Sequence, residues 1–211
     1  MWDKDMKMFK KLFQRPYRPW QISLFTCSFL LLAGGVFALS EYLARQTPPS
    51  VYPGLDEVGF TLTDHTGQQV TSAALTDKPN AIYFGFTYCP DICPTTLSLI
   101  SGQLAELGLT DDIRLILITV DPVRDTVEQL SDYLTLFEAP ILGLTGSEAD
   151  IDALIAELGI FRAEVDDGYG TTTIDHTSSV FLFHKGGAFK GTISPVEPNQ
   201  FIQQKLAALV P

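Results

Sequence analysis

Thiols and imidazoles are scarce in this chain, whose 211 residues hold three cysteines and three histidines. So few cysteines exclude a scaffold stapled by several disulfides. Positive charge is also thin beyond position 19: residues 1–19 carry six basic and two acidic groups, and the remainder carries eight basic and 23 acidic, near −15. A domain of that charge is a poor match for nucleic acid or an anionic lipid surface. Its charge serves solubility, or draws cations or a basic partner. Internal repeats and low-complexity tracts are absent. The length then allows one ordinary globular domain with an appendage.

The appendage is N-terminal. Residues 21–40 contain no charged side chain and are dominated by Leu, Phe, Ile, Val, Ala and Gly, a run of the roughly 20 residues a spanning helix needs. Lys4, Lys7, Lys10, Lys11, Arg15 and Arg18 precede it, and Glu41 and Arg45 follow. The basic flank stays cytoplasmic, so the rest crosses, with Trp20 and Tyr42 at the interfaces. The chain therefore reads as a cytoplasmic basic segment (1–19), a single-pass transmembrane anchor (20–40), a Pro-rich linker (41–54) and an exported domain (55–211). A cleaved signal peptide is the rival, because Val36 and Ala38 could flank a cleavage site; the run exceeds an h-region of about 7–15 residues. Cys27 lies inside the span and is assigned no function. The short flank containing Asp3 and Asp5 is unlike an Arg-rich mitochondrial presequence, which points to the bacterial inner membrane with the domain in the periplasm.

In the exported domain, residues 59–63 and 68–71 flank a turn at Asp64, His65, Thr66 and Gly67, predicting an opening hairpin. Residues 81–86 and 113–120 are apolar strands separated by a helix carrying Leu97, Ile100, Leu104 and Leu107 on one face and ending at Gly108. Thr126 with Gln129, and Ser147 with Asp150, mark two further helix starts around a short strand at 141–144. After a polar loop rich in Gly and Thr, strands at 179–184 and 188–193 form a hairpin, and Pro198 and Asn199 open a last helix. A βαβ unit followed by ββα, with helices between, predicts an α/β thioredoxin-like fold, a central mixed sheet flanked by helices.

The stretch GFTYCPDICP places Cys89 and Cys93 where a central strand hands over to its helix. Reactive groups of open α/β sheets are presented there, and the helix start favours a thiolate. Three residues, Pro90, Asp91 and Ile92, separate the sulfurs, against the two usual in redox motifs of this fold. Positions i and i+4 share a helix face, and a pair of soft thiolates suits Cu(I), zinc or iron–sulfur chemistry. Two thiolates leave a metal under-coordinated, so an imidazole is expected as third donor. His65 sits in a turn and His184 at a strand end, both most simply solvated. His176 follows Asp175 just before the strand at 179–184, where this fold brings a loop over the cysteines. Thioredoxins carry a cis-proline at that point, and here no proline lies between Pro140 and Pro195. A purely structural disulfide is disfavoured, because Cys89 and Cys93 would enclose too short a loop to constrain the unfolded chain.

In order, GFTYCPDICP, ITVDPVRDT, GLTGS and IDHTSSVFLF resemble the signatures of the Sco/SenC copper-protein family, over about residues 58–193. The resemblance implies a thioredoxin fold in which Cys89, Cys93 and His176 bind one copper, as Cu(I) and also as Cu(II) with a further donor. It also implies delivery to the dinuclear copper centre in the copper-bearing subunit of cytochrome c oxidase, with other periplasmic copper or thiol–disulfide proteins as further partners. Asp91, Asp121 and Asp175 match acidic positions of the same motifs; Asp175 is expected to orient His176, and Asp121 to cap a turn before Pro122 or meet a partner. Tyr88 stands where some relatives have histidine. The competing function is a thiol–disulfide oxidoreductase using Cys89 and Cys93 as a redox pair. The two coexist, since an oxidised pair must be reduced before it binds metal.

Overall fold

The computed structural model describes residues 29, 32–41, 52–166 and 172–210. The chain divides into two compact units, Met1–Pro49 and Ser50–Pro211. In the first, residues 32–41 are helical with exposed side chains. Among the described residues no helix is long and apolar enough to cross a membrane. Most of the predicted span at 20–40, with Trp20 and Cys27, lies outside the described residues, as do 1–19 and most of 41–54.

The second unit is built on a mixed seven-stranded sheet in the order β2-β1-β5-β4-β3-β8-β9. Its centre is β3 (Asn80–Gly85), β4 (Arg114–Thr119) and β5 (Ile141–Thr145). β3 runs parallel to β4 from Asn80↔Arg114 to Gly85↔Thr119, and β4 runs parallel to β5. Every residue of β3 and all but the first of β4 are buried. Strands covered on both faces read as continuous apolar runs, hence IYF and LILI. On one side β5 pairs antiparallel with β1 (Thr61–Asp64) and β1 with β2 (Gln69–Thr71). On the other, β3 pairs antiparallel with β8 (Val180–Phe183), which turns into β9 (Phe189–Ile193). That turn uses Gly186 and Gly187, both at φ 94°, a region costly for residues with a Cβ.

Among the described residues of this unit, a short 3-10 helix (Ser72–Asp77) links β2 to β3, α1 (Ile92–Leu107), α2 (Val127–Leu134) and α3 (Glu148–Glu157) fill later connections, and α4 (Asn199–Ala207) follows the last strand. The predicted starts of α2 and α3 are as read: Thr126 Oγ1 accepts the Gln129 N–H and Ser147 Oγ accepts the Asp150 N–H. α1 ends at Gly108 in the left-handed region, φ 68°. α1 and α4 pack on each other, and α2 packs on β5. The α/β arrangement of a central mixed sheet flanked by helices is thus the predicted one.

Three expectations change. The polar loop after α3 holds a separate two-stranded sheet, β6 (Arg162–Asp166) paired antiparallel with β7 (Thr172–His176). Most of its side chains are not buried, so no apolar alternation marks it in sequence. His65 is half-buried, and its Nδ1 accepts the Gly143 N–H at 3.2 Å while its own N–H donates to the Gly143 carbonyl at 2.9 Å. It fastens the β1 turn to β5 rather than standing in solvent. His184 is likewise half-buried.

Candidate metal site

The site begins where β3 ends. Gly85 closes the strand, the Cys89 N–H donates back to the Phe86 carbonyl at 3.3 Å, and Cys93 sits in the first turn of α1. Both cysteines are free thiols and buried, Cys93 completely. The Cys93 N–H donates to Cys89 Sγ at 3.4 Å, the helix-start stabilisation expected for a thiolate. From β7, His176 Nε2 reaches Cys93 Sγ at 3.5 Å. The other ring nitrogen, Nδ1, lies 3.0 Å from the Thr177 carbonyl. A carbonyl only accepts, so Nδ1 carries a proton and Nε2 is the ring nitrogen turned to the sulfurs. The ring is walled by Tyr83 and Phe86, edge to face at 6.0 and 5.7 Å between centroids. The fully buried Tyr83 hydroxyl donates to Cys93 Sγ at 3.5 Å.

The two sulfurs are unequal. The hydrogen bond from the Cys93 side chain pulls the Cys89 thiol down to about 4, against burial and helped by His176 and the N–H groups of Cys93 and Asp91. Cys93, as the donor in that bond and deeply buried, is pushed up. Tyr83 is also pushed up, by burial first and then by Cys93, so it stays a neutral donor. The result is one thiolate, one thiol and one imidazole converging on a protected spot. Two sulfurs and a nitrogen form a soft donor set, which fits a thiophilic metal. Among the described residues no three or more His, Cys, Asp or Glu side chains stand as an assembled metal cage; these three are joined by hydrogen bonds instead, and a metal would displace the remaining thiol proton.

The acidic residues read from the motifs fall in different places. Asp91 is exposed at the cap position of α1, and its carboxylate accepts the Thr95 hydroxyl at 3.2 Å. Asp121 is buried and holds a turn: its carbonyl accepts the N–H groups of Arg124 and Asp125, and its carboxylate pairs with Arg124 Nε. Asp175 does not orient His176. It is exposed, and neighbouring side chains of a strand point to opposite faces, so the Thr177 carbonyl takes that role.

Sequence reasoning missed Tyr83, hidden inside an apolar strand run, and Asp125, a fully buried carboxylate bonded to Thr87 and Thr119. Asp125 lies within the ITVDPVRDT signature, where it stands as a second acid four positions after Asp121. Gly85 also belongs to the site. A Cβ there would lie 2.7 Å from Tyr83 Cε1 and 3.2 Å from Cys93 Sγ. Gly85→Ala is expected to lower stability by about 1–3 kcal/mol, the usual cost of overpacking, and to displace the Cys93 sulfur. Urea unfolding and the thiol reactivity of Cys93 check this; a variant identical to wild type in both would show that the site gives way freely.

Residues 55–211 match the family model described as SCO1/SenC. The chain is 36% identical over 167 residues to an SCO2-like protein of Rickettsia prowazekii, covering 74% of this chain and 82% of that protein. Among solved structures it is similar to copper-bound ScoI from Bradyrhizobium japonicum, with 34% identity, a TM-score of 0.66, and coverage of 72% of this chain and 98% of that one. Copper-bound ScoI from Arabidopsis thaliana gives 28% identity and a TM-score of 0.64, covering 72% of this chain and 95% of that one.

Proposed function

Because the chain belongs to the SCO1/SenC family, we propose that it is a copper chaperone that holds one copper between Cys89, Cys93 and His176 for assembly of the dinuclear copper site of cytochrome c oxidase. The observation that carries this is the convergence of two thiols and an oriented imidazole at one buried point. Cu(I) accepts a three-coordinate set of soft donors, and Cu(II) recruits a further one. The Cys89 thiolate and His176 Nε2 are ready to ligate. Cys93 yields its proton on binding, and Tyr83 and Phe86 keep water from the ring. The recipient is the copper-bearing oxidase subunit. An anaerobic competition titration with a Cu(I)-selective chromogenic chelator tests the reading: one tight equivalent supports it, and absence of tight binding moves the assignment to thiol–disulfide exchange.

The proposal includes a retained anchor at residues 20–40, with the N-terminus cytoplasmic and the copper domain periplasmic, resting on the uncharged run and its basic flank. Full-length protein is expected in the membrane pellet after alkaline carbonate washing, and its domain open to protease added to spheroplasts. Recovery in the soluble periplasmic fraction, shortened at the N-terminus, would mean a cleaved leader instead.

A second reading is favoured by the asymmetry of the sulfurs. A low-pKa Cys89 thiolate beside a protonated Cys93 is the arrangement of a thiol–disulfide reductase. Cys89 attacks a target disulfide and expels one target thiolate. Cys93 then gives up its proton and attacks the Cys89 sulfur, leaving a reduced target and an oxidised Cys89–Cys93 pair. Metal-free protein that fails to reduce a mixed disulfide removes this reading.

A further inference from the structure

We propose that Arg124 is a positioning residue that holds His176 against the cysteines by tying the β6–β7 hairpin to the cysteine loop. The functional consequence rests on the copper reading; the tie itself does not. Among the described residues, β6 and β7 pair only with each other and take no ladder from the seven-stranded sheet. The placement of His176 over the cysteines therefore depends on connections other than strand pairing with the main sheet. Near His176 the hairpin is closed by Phe161 and Thr177, the Phe161 N–H donating to Thr177 Oγ1 at 2.9 Å and the Thr177 N–H to the Phe161 carbonyl at 3.1 Å. Arg162 pairs with Asp152 of α3. At the far end of β7, four residues before His176, Arg124 Nη1 donates to the Thr172 carbonyl at 3.2 Å.

Arg124 is itself firmly held. Its Nε bonds the buried Asp121 carboxylate, and its N–H bonds the Asp121 carbonyl at 3.2 Å. Its guanidinium lies over the rings of Tyr88 and Phe86, at 5.2 and 5.8 Å from their centroids. Tyr88 adjoins Cys89, and Phe86 packs against the His176 ring. One planar group thus touches the β4 turn, the cysteine loop and the hairpin together. A guanidinium can use its Nε edge, a terminal nitrogen and its face at once, and an ammonium cannot. The Asp121 side chain is only 7% exposed, which separates this pair from ordinary surface ion pairs of little worth. With the tie cut, the imidazole spends less time at the sulfurs, and apparent copper affinity falls in proportion to the fraction still in place.

The test uses the full chain as wild type, Arg124→Ala, Arg124→Lys, His176→Ala and the Arg124→Ala/His176→Ala double variant. In metal-free protein, amide exchange at Thr172–His176 is expected to rise about 10-fold in Arg124→Ala, with β4 unchanged. Cu(I) affinity is expected to fall about 5-fold; lysine recovers only part of it, and the double variant binds within about twofold of His176→Ala alone, since residues acting through one another are not additive. Unchanged exchange in the hairpin, or losses from Arg124 and His176 that simply add, would overturn the tie. If wild type takes up no copper, the chaperone reading fails, and the exchange data alone decide for or against Arg124.

Discussion

Cys93→Ser is expected to lose Cu(I) affinity by more than about 100-fold, because removing a thiolate, the donor Cu(I) holds best, costs more than the 10–100-fold seen when only a ligand's supporting partner is removed. Serine replaces a polarisable sulfur by a hard oxygen that stays protonated, and Cu(I) prefers the former. The substitution is gentle on the fold. Cys93 is fully buried, but its hydrogen-bond partners Tyr83 and His176 can serve a hydroxyl in its place. Loss of copper with a near-normal melting temperature therefore isolates the ligand role. His176→Ala should weaken binding less, by about 10-fold or more, since two thiolates still hold the ion. Because Cys89 is already ionised near neutrality while Cys93 is held protonated, uptake above the ordinary imidazole range should release one proton, and wild-type affinity should rise about tenfold per pH unit between roughly pH 7.5 and 9. A slope of two protons, or a Cys93→Ser variant within tenfold of wild type, would sink this assignment of the donors. The same variant separates the readings, since a Cys89 thiolate without its partner should trap a target as a stable mixed disulfide if reduction is the activity.

What could be read in the sequence follows from how each element is buried. β3 and β4 are covered on both faces, so their apolar runs stood out, as did Thr126 and Ser147, whose capping bonds are local. The hairpin of β6 and β7 left no such mark, because its side chains mostly face solvent. Cys89 and Cys93 announce themselves by spacing at a strand-to-helix junction. His176 is less plain: its ring meets Cys93 across 83 positions of chain, and its place just before the strand at 179–184, then the family resemblance, singled it out from His65 and His184. For the same reason Asp175 drew attention that belongs to the Thr177 carbonyl, since a backbone acceptor has no signature in side-chain pattern. Arg124 and Asp125 lie in a short polar loop that reads as exposed. Their partners, Thr172 and Thr87, are 48 and 38 residues away.

Asp125→Ala is expected to lower stability by about 3–5 kcal/mol, because it strips three buried neutral donors of their shared acceptor. Asp125 is fully buried, and its carboxylate accepts the Thr87 N–H at 3.0 Å, the Thr87 hydroxyl at 2.6 Å and the Thr119 hydroxyl at 2.6 Å. Its carbonyl accepts the Thr145 hydroxyl at 2.8 Å. One residue thereby fastens the ends of β3, β4 and β5 beside the cysteine loop. Alanine leaves three donors facing a void, each costing about 1–3 kcal/mol. For a domain of this size the melting temperature should drop by roughly 10 °C, at 2–4 °C per kcal/mol. Burial raises the Asp125 pKa, and the hydrogen bonds from Thr119 and Thr87 oppose that rise without cancelling it. A folded pKa above the unfolded one means that the folded state holds the proton longer. Its contribution is then fully present below the unfolded value and is lost as pH rises through the folded one. Asp125→Asn should remove that pH dependence while keeping one acceptor for Thr87, at a cost of about 1–2 kcal/mol. Thermal and urea unfolding across pH 4 to 8 measure both. An alanine variant within about 1 kcal/mol of wild type would mean that Thr87 and Thr119 find other partners, and that the cysteine loop is held in place by its own turn and the start of α1.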